Sequence, residues 1–430
     1  MPTLTDHAVA AYQVDTLILL VGSNPLPNAV SGRLLVRPGG RIVLVKTTET
    51  ERVAQHLGSW LTASLEVEVV QAQVDDSDAS TIYHEVYRHA ARAVSERRRL
   101  GLNYTGGTKA MAVHAYRAVE AATQDGPSDP VFSYLDARDL SMKFDPPGTA
   151  AGQSKVVPIG TAVPFTLRTL AELHGWKLAA CPKTEPVLLD VSTALAQLHQ
   201  DRAAADAWCT WCVDVLEKQC RRAGQNWLSS AQLRSKTLEW PTADGARRVV
   251  AILQERLGSD SPDFSVGALA ERTGLAREEE NLCRWLHGVW LESYVLDAVR
   301  RVAAACGLNS FGANIKGQRT DPDTREETNF EFDAAAIRGY QLFGFSCTTA
   351  GKDLTKSKLF EAYIRARQLG GDEARVGLVC SADDPGRLER QLQSDFVDTS
   401  RQIRVFGRPH LADLAEHVAA WIQDSSAGRP

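Results

Sequence analysis

Apolar positions in the first third of the chain fall in short continuous runs separated by helical patterns. Residues 14–22 (VDTLILLVG) read as a buried strand, and 41–46 (RIVLVK), 64–71 (SLEVEVVQ) and 131–135 (VFSYL) read as three more. Between them, 51–62, 79–97 and 108–123 space their apolar residues at helical intervals. Strands alternating with helices predict a parallel α/β sheet. Ligands of such a sheet sit beyond the carboxyl ends of its strands. Two loops leave at that end: Ser23 to Asn28, rich in turn residues, and Asn103 to Met111.

The second loop carries the most chemistry. It reads Asn103-Tyr104-Thr105-Gly106-Gly107-Thr108-Lys109-Ala110-Met111 and runs from a strand into a helix. Two glycines let backbone approach a ligand closely. Thr105 and Thr108 offer hydroxyls and Lys109 a positive charge. The starting helix adds unpaired N–H groups and the positive end of its dipole. Together these make an anion site suited to phosphate. An ordinary turn with a helix cap fits the same residues locally. The Walker spacing and G-x-G-x-x-G are both absent, which disfavours a P-loop or a dinucleotide enzyme.

Residues 146–165 mix Pro, Gly and small polar residues and read as a linker with at most short strands. Helices follow over 188–223, 247–258 and 265–287. Residues 265–275 resemble the first helix and turn of a helix-turn-helix, with Gly274 at the turn. The following helix, 276–287, is acidic at its start, which repels phosphate. A connector that packs the first domain on the next is therefore preferred to a DNA reader. From 288 the pattern becomes a helix (289–305, with Glu292), strands at 308–317, 329–338 and 340–348, a helix at 353–369 and a final strand at 374–380.

The chain has 430 residues, enough for two or three domains, and a net charge of −5, which excludes an evenly basic coat but not a local basic groove. No apolar run reaches membrane-spanning length and the first residues do not read as a signal peptide, so a cytoplasmic protein is expected. Cys209 and Cys212 form the one close pair among eight cysteines. They lie in a helical pattern without zinc spacing, which predicts reduced thiols and no structural zinc.

The segments VGSNPLPNAV, LNYTGGTKAM and FSYLDARDLSMKF resemble a CARF domain, the Rossmann-like sensor of type III CRISPR defence. That resemblance covers 1–165 and implies a homodimer that binds a cyclic oligoadenylate, cyclic tetra-adenylate first among them. Thr105, Gly106, Gly107, Thr108 and Lys109 would then line the ring phosphates, with Ser23 and Asn24 beside adenine or ribose. The C-terminal order, over 288–430, resembles the PD-(D/E)xK restriction-endonuclease-like α/β fold, with 166–287 a helical, winged-helix-like connector between the two.

As a whole the chain resembles the CARF-fused nucleases, which implies ligand-activated, Mg²⁺- or Mn²⁺-dependent hydrolysis of DNA or RNA. By that resemblance Glu292 is the helix glutamate, and Asp333, with Glu331 beside it, is the strand aspartate. The pattern then breaks: Ser346-Cys347-Thr348 stands where E-x-K is expected. Three accounts remain open. The domain is a degenerate nuclease that only binds nucleic acid or a partner, or it has another chemistry, or the missing groups have moved to the next helix. For the last, Lys358, Glu361 and Arg365 share one helix face, and Lys352 and Lys356 lie near the same strand end. Glu361 would then join Glu292 and Asp333 on the metal, with Lys352 or Lys358 as the electrophile. A solvated basic face explains the lysines equally well. Cys347 as a nucleophile is disfavoured, with no histidine near it in sequence.

Overall fold

The computed structural model describes residues 8–126, 129–146, 153–222, 226–257, 263–275, 277–320, 325–349, 352–395 and 402–426. The first domain alternates as expected: β1 (Val14–Leu20), α1 (Leu26–Leu35), β2 (Val36–Lys46), α2 (Glu51–Ser64), β3 (Glu68–Gln73), α3 (Ala79–Ser95), β4 (Leu100–Asn103) and α4 (Lys109–Thr123), then β5 (Val131–Asp136), β6 (Ser141–Phe144) and β7 (Lys155–Pro158). They form a seven-stranded sheet in the order β3-β2-β1-β4-β5-β6-β7. β1 to β5 pair in parallel, while β5–β6 and β6–β7 are antiparallel. β1 is covered on both faces, so its apolar residues run without alternation. α3 shows the other period: Ile82, Val86, His89, Ala90 and Ala93 are buried, and the Asp78 carboxylate caps its first turn through Ser80 N.

α1 corrects the reading of Ser23–Asn28 as a loop, because the helix begins inside it at Leu26. Pro25 and Pro27 signalled a turn, but proline is also compatible with a helix's first turn, where N–H groups lack helical partners anyway.

The middle segment contributes α5 (Leu167–Leu173) and β8 (Lys177–Leu178), then helices at Leu189–Leu198, Arg202–Trp211, Arg247–Leu257, Val266–Arg272 and Glu279–Arg284. Gly274 turns between the last two at φ +76°. The acidic start of the last helix is partly internal: Glu279 is fully buried and pairs with Arg234 at 2.8 Å.

The second α/β unit comprises α6 (Trp290–Val302), β9 (Ser310–Thr320), β10 (Glu327–Arg338), β11 (Gln341–Thr348), α7 (Lys352–Gly370), β12 (Arg375–Cys380), α8 (Pro385–Asp395), β13 (Ile403–Phe406) and α9 (Leu414–Ser426). Its sheet runs β13-β12-β11-β10-β9-β8. The edge strand β8 is lent by the middle segment, with Leu178 opposite Gly317. β12 is not the last strand, as expected from sequence; β13 follows it in parallel.

The two sheets are joined by packing. One apolar core runs from Leu26, Ala29 and Val30 of α1 through Phe165 and Leu170 to Leu359, Ala366 and Leu369 of α7. At the β10–β11 turn, Phe165 N donates to Gly339 O at 2.8 Å and Gly339 N donates to Asn309 Oδ1 at 2.7 Å.

Candidate functional sites

The β1 and β4 loops meet beyond the carboxyl end of the first sheet. A Cβ on Gly22 would stand 3.1 Å from Gly107 N, and one on Gly106 would collide with the Leu20 carbonyl oxygen. Gly107 has φ +73°, a conformation that glycine adopts at little cost. The Thr105 hydroxyl is engaged by the loop and by β5: it donates to Asn103 Oδ1 at 2.7 Å and accepts from Leu135 N at 2.7 Å. Thr108 caps α4, accepting from Met111 N at 3.3 Å. Lys109, the first residue of α4, is exposed, as is Ser23. Asn24 turns away toward the second unit, accepting from Leu26 N at 3.0 Å and lying 3.1 Å from His174 Nε2.

Sequence reading passed over the aromatic group behind this loop. The Tyr104 hydroxyl donates to the Asp145 carboxylate at 3.1 Å, and the Tyr104 ring lies 5.5 Å from Tyr134 and 6.0 Å from Tyr116. Burial, then the Asp145 charge, push the Tyr116 phenol up to about 12, and the same two causes raise Tyr104 further. Tyr104 was within the motif, but Asp145 arrives only through the β5–β6 hairpin.

The second site lies across α6, β10, β11 and α7. Strand alternation puts Glu331 and Asp333 on one face of β10. Asp333 Oδ2 accepts from Cys347 N at 2.6 Å and from the Ser346 hydroxyl at 3.4 Å. Lys358 Nζ donates to the Cys347 carbonyl at 3.3 Å. Glu292 on α6 faces the same place. Burial first, then the Asp333 charge, raise its carboxyl to about 8, with Lys358 and Lys316 opposing. Burial also raises Asp333, against the Cys347 N–H and the Lys358 charge. Burial pushes the Cys347 thiol far above its ordinary range, which leaves it a poor nucleophile.

Glu292, Glu331, Asp333 and Lys358 are thus brought together. Glu361 is exposed and is not among the charges acting most strongly on either carboxyl. Among the described residues no three His, Cys, Asp or Glu side chains gather as a metal cluster. The side chains of Lys352 and Lys356 lie outside the described ones. Lys316 was missed. It stands opposite Glu331 in the β9–β10 ladder and pairs with it at 3.0 Å. Only strand register reveals it.

No helix among the described residues is long and apolar enough to cross a membrane. All eight cysteines are free. No protein-family profile matches the chain, and no curated protein matches it significantly. Solved structures do. Protein VC1899 from Vibrio cholerae superposes with a TM-score of 0.64 at 14% identity, over 96% of this chain and 99% of that one. Can2 from Sulfobacillus thermosulfidooxidans, solved in complex with cyclic tetra-adenylate, gives 0.63 at 17% identity, over 97% and 99%. This chain shares the fold of both along nearly its whole length, with a Rossmann-like α/β sheet first and a second mixed α/β sheet after it.

Proposed function

We propose that this protein is a cyclic-oligoadenylate-responsive effector whose second α/β unit is a metal-dependent nuclease acting on DNA or RNA. The observation that carries the reading is the carboxyl pair Glu292–Asp333 flanked by Lys358 and Lys316, in a chain whose first sheet ends in a glycine-lined anion loop. A fold neighbour in complex with cyclic tetra-adenylate supports that ligand for the loop. Lys109 and the first N–H groups of α4 would meet a ring phosphate, with Gly106 and Gly107 letting it approach. Ser23 would lie at its rim, and Thr105 would shape the loop rather than touch the ring. A ring ligand of repeated units suits a two-fold site, and the exposed Tyr87 on α3 and Val113 on α4 fit a subunit contact in a homodimer.

The donor set fits a hard divalent cation. Two carboxyls that burial and neighbouring carboxylates push toward holding protons gain most from Mg²⁺ or Mn²⁺ between them. Glu292 and Asp333 would hold it, with water completing the shell. Bound there, the ion would supply charge for the phosphodiester and lower the pKa of an attacking water. Asp333 is oriented by the Cys347 N–H, and Lys358 and Lys316 stand ready to meet the developing negative charge. Glu331 holds Lys316 in place.

The test is cleavage of single-stranded DNA, RNA and supercoiled plasmid with Mn²⁺, with and without cyclic tetra-adenylate, then the hexa-adenylate. Ligand-dependent cutting is expected, and Asp333→Ala should bring it to background while ligand binding persists. Cutting retained by that variant would remove Asp333 from the site. A second reading, a sensor without catalysis, is favoured by one observation: Ser346 and Thr348 supply no charge where the fold's usual carboxylate and lysine stand. Tight ligand binding with every substrate intact would select it.

A further inference from the structure

Asn24 belongs to the β1 loop, yet its contacts lie in other elements. Its Oδ1 takes the Leu26 N–H and faces His174 Nε2 at the end of α5. Its Nδ2 rests on the turn that follows α7. A Cβ on Gly371 would collide with that nitrogen and stand 2.9 Å from Glu373 Oε2. Gly371 also has φ +62°, so the position is suited to glycine on two counts. One side chain thus connects the edge of the ligand loop to α5 and to the carboxyl end of α7.

The amino-terminal part of α7 carries Lys358, bonded to the Cys347 carbonyl next to Asp333. From Lys358 to Gly370 the helix spans about 18 Å at 1.5 Å per residue. Leu359, Ala362, Ala366 and Leu369 are buried along its inner face, in the core that also holds Leu26 and Ala29 of α1. A helix packed this closely responds to a push at one end by moving as a body. Displacement at Gly371 therefore reaches Lys358.

His174 gives the contact two arrangements. It is 9% exposed, and its Nδ1 stands 2.9 Å from Leu170 O while Nε2 stands 3.1 Å from Asn24 Oδ1. Both facing atoms are acceptors, since the Leu26 N–H fixes Oδ1 in that role. A neutral imidazole has a single N–H, so it bonds one of them at a time. Moving the proton from Nε2 to Nδ1 ends the bond to Asn24, which keeps the Leu26 N–H, without opening a cavity.

We infer that Asn24, His174 and Gly371 form the joint through which occupancy of the β1 and β4 loops is relayed along α7 to Lys358. The inference rests on the reading of those loops as the ligand site and of Lys358 as part of the nuclease centre. The three are positioning residues, and none touches the scissile phosphate. A ligand that draws the β1 loop inward changes the Asn24–Gly371 contact, and its binding free energy differs between the two settings of α7.

The decisive variant is Gly371→Ala in the full-length protein. Cyclic tetra-adenylate binding, read by calorimetry, should stay close to wild type, while Mn²⁺-dependent cleavage at saturating ligand falls by about tenfold, within the range of coupling free energies. Asn24→Ala removes the same contact from the other side, so the Asn24→Ala/Gly371→Ala double variant should fall no further than Gly371→Ala alone, whereas two independent folding defects would add. Gly371→Ala with wild-type activation, or additive losses in the double variant, overturns the joint. Hydrogen exchange over 357–371 gives a readout independent of cleavage. The ligand should change protection there in wild type and not in Gly371→Ala. If wild type binds the ligand but cuts nothing, the nuclease reading fails and this exchange arm alone decides the joint. No ligand-dependent change at 357–371, or no ligand binding at all, overturns it.

Discussion

Replacing Glu292 by glutamine should change stability in a way that depends on pH. The Glu292 carboxyl is held at about 8 by burial and by Asp333, against an ordinary 4.5. The folded protein therefore keeps this proton between those two values while the unfolded chain has lost it. Stability then falls as pH rises through that window, because the folded state binds more protons. At 1.36 kcal/mol per pK unit the full interval is worth about 5 kcal/mol. Glu292 is half-buried, and solvent screening reduces this to about 2–4 kcal/mol. Glutamine mimics the protonated form in shape and carries no charge. The variant should match wild type near pH 5 and exceed it near pH 9. With an unfolding entropy of about 2.1 cal/mol/K per residue over 430 residues, each kcal/mol moves Tm by about 1 °C. The expected gap at pH 9 is therefore about 2–4 °C, measured by calorimetric melts in EDTA. Glu373, also raised by burial, to about 7, contributes to both proteins and cancels in the difference. Mn²⁺ should stabilise wild type most at high pH and leave the variant almost unmoved. A gap that is the same at pH 5 and pH 9 would refute the charge argument. A gap of the right form without any Mn²⁺ response would keep the buried pair and remove the metal.

Two further substitutions probe the first sheet. Lys109→Ala should weaken cyclic tetra-adenylate binding by about tenfold or more, the loss of one charge-assisted contact, and should flatten its dependence on salt in calorimetric titrations. Gly106→Ala places a methyl against the Leu20 carbonyl, forces the β4–α4 loop away from β1 and should cost about 1–3 kcal/mol in chemical denaturation. Its ligand binding should be lost at temperatures where the variant is still folded. Unchanged titrations would show that the loop has room the geometry denies it.

The first domain was legible because buried parallel strands declare themselves as continuous apolar runs and their crossover helices as periodic ones. β1, β5 and the Arg41–Lys46 part of β2 needed no tertiary information, whereas the start of β2 at Val36 was not read. What failed there was α1, where prolines serve a helix start as well as they serve a turn. In the second unit the three central strands and α7 were readable, but β8 has two residues and takes its identity entirely from Gln318 and Gly317 across the ladder. The acidic start of residues 276–287 was read only as repelling phosphate, and Arg234, forty-five residues before Glu279, pairs with that carboxylate inside the protein.

The candidate nuclease site divides along the same physical line. Glu292 and Asp333 are recognisable because carboxylates at a strand and on a helix fall in a recurring order. Position in sequence says nothing about their charge balance. Ser346-Cys347-Thr348 looks like a loss when the strand is read alone. In the fold, Cys347 gives Asp333 a backbone N–H and offers its carbonyl to Lys358, so the strand holds both a carboxylate and an ammonium through its main chain. Main-chain groups place no restriction on residue type, so these two contacts do not depend on which side chains β11 carries. Lys316 reinforces this from the other side through Glu331. Positive charge therefore reaches the carboxyl pair from β9 and α7 rather than from β11. Since α7 also ends against Asn24, the lysine on it is positioned by contacts at both ends of the helix. A lysine fixed on β11 would be held by the ladder and deaf to the first domain. On the proposed reading, a charge carried by α7 has a position that depends on how the two sheets pack, which is what control by a distant ligand requires.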